Sequence, residues 1–290
     1  MKIQTMSVVV GTTACNASCG YCIAKTTPKV GMLPSLDEIN WRNFGIAVKL
    51  AKESGVTTIL LTGKGEPTLY PDYVGIYLYE LKDFPFKELQ TNGIALESQI
   101  TDEELQRWYD LGLTTICLSM AHYDSSKNAE IFQPHLAGAS GQMNLEAVIE
   151  RMLKFKFMVR LTAVGLEGYI GDSIELVKFI QFGKKVGAKQ LTYRPMTAPD
   201  NTDNETTQWI AQHHLDTKTI EDMGHFVANM GKPVLELAHG AIVYDIAGQN
   251  FCWSNCLTTD KDMENMRSLI VYPDGTISYN WAYQGGILLG

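Results

Sequence analysis

The sequence predicts an α/β protein whose core is a partial, TIM-like (β/α)6 barrel. Six short apolar runs have the composition of strands, and the segments between them carry helical spacing, several with an acidic or hydroxyl start and a glycine stop. Repeated βα units indicate a parallel sheet with right-handed crossovers. Six units are two short of a closed eight-unit barrel, so the count favours an open one.

The predicted elements alternate along the chain, each strand before its helix. The strands are SVVVG (7–11), TTILLTG (57–63), FKELQTNG (86–93), TTICLSM (114–120), FMVRLTAVG (157–165) and AKQLTYRPM (188–196). The helices cover residues 36–54, 72–84, 101–112, 143–156, 173–187 and 217–231. The polar stretch 198–208 between the last strand and the last helix is expected to be a loop.

The C-terminal part breaks this alternation. It contains AIVYDI, SLIVYPDG and TISYNWAY, which indicate short strands with a Pro-Asp-Gly turn. We therefore predict a barrel domain over residues 1–231 and a short C-terminal cap or extension over residues 232–290.

Composition excludes several classes of protein. The chain has 290 residues, 45% hydrophobic and 19% charged, which suits a globular protein with a sizeable core. Neither a long apolar run nor a cleavable leader is evident, so we expect a cytoplasmic protein that does not enter membranes. The net charge of −8 gives no electrostatic signature for nucleic acid.

Half of the six cysteines lie in one short loop directly after the first predicted strand. Cys15, Cys19 and Cys22 are spaced CxxxCxxC, at the end of the strand where a parallel barrel places its chemistry. Thiols stay reduced in the cytosol, and clustered thiolates select iron–sulfur clusters or zinc. A 4Fe-4S cube normally takes four cysteines. Three leave one iron open to bind a small chelating molecule and pass it an electron.

This loop, with the aromatic Tyr21 before its last cysteine, resembles the signature of the radical S-adenosylmethionine superfamily. The resemblance implies that Cys15, Cys19 and Cys22 bind a 4Fe-4S cluster. It implies further that the open iron chelates S-adenosylmethionine, which is cleaved reductively to methionine and a 5′-deoxyadenosyl radical. The alternative is a structural zinc site, which needs a fourth ligand. The first histidine, His122, comes a hundred residues later.

A second motif, GKGEPTLYP (63–71), ends the second predicted strand. It resembles the GGEP element of the family and implies cofactor contacts at Gly63, Gly65, Glu66 and Pro67. Glycine at a strand end allows close backbone approach to a ligand, so we expect Gly65→Val to block cofactor binding while leaving the iron content intact. The alternative is an ordinary proline turn.

The next strand ends continue the resemblance. LQTNG resembles the family's TNG and implies cofactor contacts from Thr91 and Asn92, and CLSM places Ser119 where the family often has a serine that reaches the cofactor. Each motif alone is weak, because Asn-Gly is a common turn. Their order and spacing together are what support the resemblance.

The fifth and sixth strands resemble the branch that includes the molybdenum-cofactor GTP cyclase and the twitch/SPASM-type maturases. That resemblance implies an adenine contact from the backbone near Val164 to Leu166, and an arginine facing the site on strand six, here Arg194. Arg160 is the stronger candidate for a cofactor carboxylate or a substrate anion. For both arginines the alternative is a surface ion pair.

The tail resembles the twitch element of that branch less closely. FCWSNC carries Cys252 and Cys256, but no cysteine follows the Pro-Asp-Gly turn, and two thiolates rarely hold a four-iron cluster. The alternatives are catalytic thiols that donate hydrogen or reducing equivalents, and plain buried cysteines. The aromatic residues of the tail indicate either a lid that stacks on substrate or a hydrophobic cap of the barrel; they are Trp253, Tyr279, Trp281 and Tyr283.

The resemblance therefore implies a radical S-adenosylmethionine enzyme with two cofactors, a 4Fe-4S cluster and S-adenosylmethionine. We expect a small polar metabolite or nucleotide as substrate, a ribosomal peptide as the second candidate, and a one-electron donor such as flavodoxin or ferredoxin as partner. A non-enzymatic iron–sulfur or zinc protein is the alternative of another class. The GEP and TNG motifs and Ser119 argue against it, because a scaffold needs no cofactor cleft.

Overall fold

The computed structural model describes residues 2–135, 143–237, 239–255 and 265–290. Its strands are β1 (Lys2–Val9), β2 (Thr58–Thr62), β3 (Phe86–Thr91), β4 (Thr115–Met120), β5 (Met158–Gly165), β6 (Gln190–Pro195), β7 (Lys232–Glu236), β8 (Ile242–Ile246), β9 (Gln249–Trp253), β10 (Asn265–Val271), β11 (Ile277–Ser278) and β12 (Ile287–Leu289). Its α-helices are α1 (Ile23–Thr26), α2 (Trp41–Glu53), α3 (Pro71–Glu80), α4 (Ile94–Ser98), α5 (Asp102–Asp110), α6 (Ser125–Phe132), α7 (Leu145–Lys154), α8 (Ser173–Lys185), α9 (Glu205–His213) and α10 (Thr217–Met230).

All twelve strands belong to one sheet, in the order β12-β11-β10-β1-β2-β3-β4-β5-β6-β9-β8-β7. The six predicted strands β1 to β6 run parallel in sequence order, with helices between them. The predicted partial barrel is therefore confirmed. The first and last strands of the sheet are β12 and β7, so the barrel is open.

The C-terminal strands extend the barrel sheet. β9 pairs in parallel with β6, and β10 pairs in parallel with β1, so the parallel run has one more strand at each end than the sequence predicts. Outside them, β7 and β8 on one side and β11 and β12 on the other add antiparallel pairs. The sheet is thus continuous across the predicted boundary between residues 231 and 232.

Local signals explain where the helices begin. Asn40, Thr101, Asp172 and Asp216 precede α2, α5, α8 and α10, and each side chain accepts a hydrogen bond from a backbone N–H of the first turn. The apolar faces of the helices pack on the sheet in one core, in which Trp108, Phe157 and Phe179 are among the largest fully buried side chains.

One loop prediction is wrong in part, because α9 begins at Glu205, inside the polar stretch 198–208. The Asn204 side chain caps this helix by accepting from the Thr207 N–H, and the Asn204 N–H donates to the Thr207 hydroxyl. These two hydrogen bonds make a capping box. The polar composition that indicated a loop thus includes the capping signal of a helix. Among the helices of the described residues, none is long and apolar enough to cross a membrane.

Candidate functional site

The three clustered cysteines lie at the carboxyl ends of the parallel strands, where they line a cavity of about 420 Å³. The same cavity is lined by the ends of β2, β3 and β4, so the structure brings together most of the residues that the motifs single out. From those motifs the lining residues are Cys15, Cys19, Tyr21, Cys22, Gly63, Gly65, Glu66, Pro67, Thr91, Asn92 and Ser119.

The cysteine loop rests directly on the backbone of the GKGEP motif. The Glu66 N–H donates to the Ala14 carbonyl at 2.9 Å. A Cβ at Gly65 would overlap that carbonyl oxygen and would lie 2.8 Å from the carbonyl oxygen of Thr12. Gly65 is therefore required by the packing of the cysteine loop, whereas the sequence indicated a close approach to a ligand.

Glu66 connects the ends of β2 and β3. One carboxylate oxygen accepts from the Thr68 N–H at 2.9 Å and from the hydroxyls of Thr68 and Thr91 at 2.6 Å each, and the other accepts from the Asn92 N–H at 2.8 Å. Burial raises the pKa of Glu66, although these donors act in the opposite direction. Because both oxygens are engaged by the protein, the side chain acts first to position the strand ends.

Asn92 carries this network to the cysteine loop. Its amide nitrogen donates to the side-chain oxygen of Asn16 at 2.7 Å and lies 3.8 Å from the Cys15 sulfur. The side-chain nitrogen of Asn16 is buried and has no hydrogen-bond partner among the described residues. A buried donor beside a cysteine ligand costs free energy unless an acceptor occupies the adjoining space.

The segment after α6 supports the other side of the loop, and no motif in the sequence indicated this contact. The Ser18 N–H donates to the Phe132 carbonyl at 2.8 Å, and the His135 N–H donates to the Asn16 carbonyl at 3.0 Å. The His135 ring nitrogen Nε2 lies 3.0 Å from the Cys15 carbonyl oxygen. Residues 132–135 therefore support the cysteine loop through hydrogen bonds to its backbone.

Trp209 on α9 also packs against the cysteine loop, and no motif in the sequence indicated this contact. Its ring lies 2.5 Å from where a Cβ of Gly20 would stand, and its centroid lies 6.3 Å from that of Tyr21. It stacks on His213 at 3.9 Å. Tyr21 also makes an edge contact with Phe132, so Tyr21 packs the loop against α6 and α9. The capping box of α9 was the sequence signal that could have located Trp209.

Burial and mutual repulsion shape the chemistry of the thiols. Burial raises the pKa of Cys15, and burial together with the charges of Cys22 and Cys15 raises the pKa of Cys19 to about 12. Three thiolates in this pocket therefore need positive charge among them. No three His, Cys, Asp or Glu side chains among the described residues converge on a single-ion site. A cube differs in this respect, since its cysteines bind separate irons.

Lys64 joins the cavity to the C-terminal segment. Its ammonium donates to the Thr27 hydroxyl and to the Pro28 carbonyl, the latter at 3.2 Å, and lies 5.7 Å from the centroid of the Trp281 ring. Burial lowers the pKa of Lys64, and the charge of Cys22 opposes that effect. Lys64, which lines the cavity, thus brings Trp281 near it, while the role of Trp281 as a lid stays a prediction.

The other three aromatic residues of the tail lie in different environments. Trp253 is buried and stacks on Tyr193 with ring centroids 5.3 Å apart, so it belongs to the barrel core, which fits the alternative of a hydrophobic cap and not that of a lid. Tyr279 and Tyr283 are exposed. Ser278 stands near the position expected for a further cysteine, and its hydroxyl bonds the Asn280 and Gly286 carbonyls.

Below the cavity, the inward faces of the strands form a polar lumen. Gln90, which lines the cavity, donates to Glu88 at 2.9 Å, and Glu88 forms an ion pair with Arg160 at 2.5 Å. Arg160 also donates to the Cys117 sulfur at 3.4 Å, and that sulfur lies 3.2 Å from the Thr162 hydroxyl. Arg160, predicted to bind a carboxylate or a substrate anion, is not among the residues that line the cavity, and that role stays a prediction. Its guanidinium is engaged by Glu88 and Cys117, outside the cofactor cavity.

The electrostatics of Arg160 agree with this assignment. Burial alone lowers the pKa of Arg160, but Cys117 and Glu88 outweigh it and raise that pKa above its usual range. The charge of Cys252, half-buried on β9, also raises the pKa of Arg160. Thr192 is the register partner of Cys252 on β6. Cys252 thus lies at the lumen, whereas Cys256 falls outside the described residues.

Arg194 enters the same lumen from β6, in register with Val164 of β5. Its side chain is accessible through the open barrel, yet protein atoms crowd its guanidinium. That burial, together with the like charges of Arg267 and Arg160, lowers the pKa of Arg194. The Leu166 side chain is fully buried in the core, and its carbonyl accepts from the Tyr169 N–H. The adenine contact expected from the backbone of Val164 to Leu166 stays a prediction.

Comparisons with known proteins agree with this geometry. A model described as the Radical SAM superfamily matches residues 9–180. No curated protein sequence matches the chain.

Solved structures show the same fold at low identity. Streptococcus suis SuiB bound to precursor peptide SuiA is 15% identical, with a TM-score of 0.62 over 97% of this chain and 60% of that chain. Native anSMEcpe with bound AdoMet is 13% identical, with a TM-score of 0.63 over 98% and 77%. Methylornithine synthase (PylB) is 12% identical, with a TM-score of 0.50 over 78% and 62%. The chain thus spans about 60% of the length of SuiB.

Proposed function

Because the chain belongs to the radical S-adenosylmethionine superfamily, we propose that it cleaves S-adenosylmethionine reductively and abstracts hydrogen from a small polar metabolite or nucleotide. The cofactors of the family are a 4Fe-4S cluster and S-adenosylmethionine. The single observation that carries the proposal is the shared cavity, in which three cysteines meet the ends of β2, β3 and β4.

The residues present fit both groups. Cys15, Cys19 and Cys22 would hold the cluster, and the unpartnered side-chain nitrogen of Asn16 is a donor suited to the sulfur-rich acceptor beside it. When bound, the two cofactors supply an electron and a 5′-deoxyadenosyl radical for hydrogen abstraction. A flavodoxin or ferredoxin would supply the electron from outside.

S-adenosylmethionine would lie against the strand ends. The backbone of Gly63 and Gly65 and the side chains of Asn92 and Ser119 face the cavity and are the proposed contacts. Pro67 and Thr91 also line it, and Val164 is the proposed adenine contact on β5. Glu66 acts by holding the ends of β2 and β3 at fixed separation through its four hydrogen bonds.

The lumen supports a polar substrate. Glu88, Gln90, Cys117, Arg160 and Thr162 form one connected polar row that begins at the cofactor cavity. These groups are hydrogen-bonded or ion-paired to one another, so the row offers a substrate polar contacts rather than an apolar surface. The Arg160–Glu88 ion pair closes one side of this row and fixes both side chains.

The proposed activity is tested by anaerobic reconstitution with iron and sulfide, followed by dithionite and S-adenosylmethionine. We expect 5′-deoxyadenosine and methionine to form, because family members cleave the cofactor reductively. Protein reconstituted without iron is the control. A fully loaded protein that forms no 5′-deoxyadenosine above that control would contradict the proposal.

A ribosomal peptide is the second candidate substrate. The specific observation in its favour is the likeness to SuiB bound to its precursor peptide and to anSMEcpe with bound AdoMet and peptides. Mass spectrometry of candidate peptides incubated with reconstituted enzyme distinguishes the two candidates. A peptide substrate should change in mass, whereas no peptide should change if the substrate is a small molecule.

The iron content tests whether the tail carries a second cluster. Cys252 lies at the lumen and the chain has no cysteine after the Pro-Asp-Gly turn, so we predict one cube per chain, about four irons. The double variant Cys252→Ala, Cys256→Ala should bind the same amount as wild type. Excess iron that the double variant loses would instead show an auxiliary cluster.

A further inference from the structure

Positive charge exceeds negative charge inside the lumen. Arg160 and Arg194 lie on the same face of β5 and β6, and the like charge of Arg160 contributes to a lowered pKa of Arg194. The carboxylate beside them is Glu88, and it is already paired with Arg160 at 2.5 Å. Among the described residues of the lumen, one carboxylate thus meets two guanidinium groups.

Arg194 differs from Arg160 in its partners. Arg160 has a carboxylate and a thiol within hydrogen-bond distance. Within the described ranges, no hydrogen bond or ion pair to Arg194 is found, and its side chain remains accessible through the open barrel. A guanidinium presents a planar fork of donors that matches a carboxylate or phosphate group in two parallel hydrogen bonds.

The position of Arg194 places such an anion at the carboxyl ends of β5 and β6, on the side of the cofactor cavity. Arg194 is in register with Val164, near the carboxyl end of β5, while Arg160 lies four residues deeper on the same strand face. Thr162 and Thr192 lie between them in register. An anion bound by Arg194 would therefore hold the rest of a small molecule within the polar lumen, facing the strand ends.

We propose that the substrate carries a carboxylate or phosphate group, and that Arg194 binds it. The inference rests on the proposed function, because it takes the lumen as the substrate site. It moves the role of anion receptor from Arg160, which the sequence favoured, to Arg194. Arg194 is thus a specificity residue that touches substrate away from the reacting atoms.

The test measures anion binding to the reconstituted protein by calorimetry, with inorganic phosphate in one arm and malonate in the other. At least one anion should bind wild type, and the arm that binds more tightly identifies the group. Arg194→Gln should weaken that binding roughly ten- to hundredfold, the range for charge-assisted hydrogen bonds. Glu88→Gln should strengthen it, because it removes the negative charge of the lumen.

The matched control is Arg42→Gln, which removes an exposed arginine from α2 and should leave anion affinity unchanged. Wild type that binds neither anion, or Arg194→Gln that binds as tightly as wild type, would overturn the inference. Binding needs no reductive cleavage. Absence of 5′-deoxyadenosine with intact, Arg194-dependent anion binding would therefore reject the proposed function while leaving Arg194 as an anion receptor.

Discussion

Replacing Cys15, Cys19 or Cys22 by alanine is expected to abolish both the cluster and the formation of 5′-deoxyadenosine. The three sulfurs line one cavity, and the loop that holds them has no nearby fourth cysteine. A cube that already lacks one protein ligand cannot lose another and stay bound, so each single variant should lose most of its iron. Iron content and the visible absorbance of the cluster measure this directly.

The matched control for these variants is Cys117→Ala. Cys117 is a buried lumen thiol that contacts Arg160 and Thr162 and lies outside the cysteine loop. It should therefore retain the full iron content. A Cys19→Ala protein that keeps its iron and its full rate of cofactor cleavage would disprove the assignment of the three ligands.

Gly65→Val is expected to have the second largest effect, and the structure predicts that this effect includes loss of iron. The sequence predicted loss of cofactor binding with intact iron. The added Cβ would overlap the Ala14 carbonyl and crowd that of Thr12, both in the backbone of the cysteine loop. Backbone cannot move aside as a flexible side chain can, so the loop itself should shift.

We therefore expect Gly65→Val to lose iron as well as affinity for S-adenosylmethionine, with a stability cost above the roughly 1–3 kcal/mol typical of overpacking. Gly45→Val is the matched control, because nothing lies within 4 Å of a Cβ at that helical position. Iron content, calorimetric cofactor binding and thermal unfolding are compared for the two variants. Normal iron with lost cofactor binding would restore the original expectation.

The parts of the fold that depend on local sequence could be predicted. β1 to β6 are short apolar runs that end in glycine-rich or polar motifs, and β2 to β6 fall within two residues of their predicted bounds, whereas β1 begins five residues before the predicted 7–11. The cysteine loop and the GEP and TNG motifs were recognisable because consecutive residues define them. Parallel topology then brings their strand ends to one edge of the sheet.

The parts that depend on distant contacts could not be predicted. Nothing in residues 265–271 indicates that they pair with β1, because pairing partners in a parallel sheet leave no local signature. The ion pair of Arg160 with Glu88 likewise joins β5 to β3. His135, just after α6, and Trp209 on α9 contact the cysteine loop across long stretches of chain. Sequence reasoning assigned roles residue by residue and missed these supporting contacts.

The pairing of β1 with β10 bears on how the chain folds as it is synthesised. Lys2 is in register with Asn265 and Val8 with Val271. The strand that leads into the cysteine loop therefore pairs with β10, which is synthesised more than 250 residues after Lys2. Such distant pairing slows folding, although the entropic cost of closing a long loop grows only slowly with its length. Until residues 265–271 leave the ribosome, β1 presents an unpaired edge that other strands could join. A chaperone that shields this edge should therefore raise the yield of folded protein.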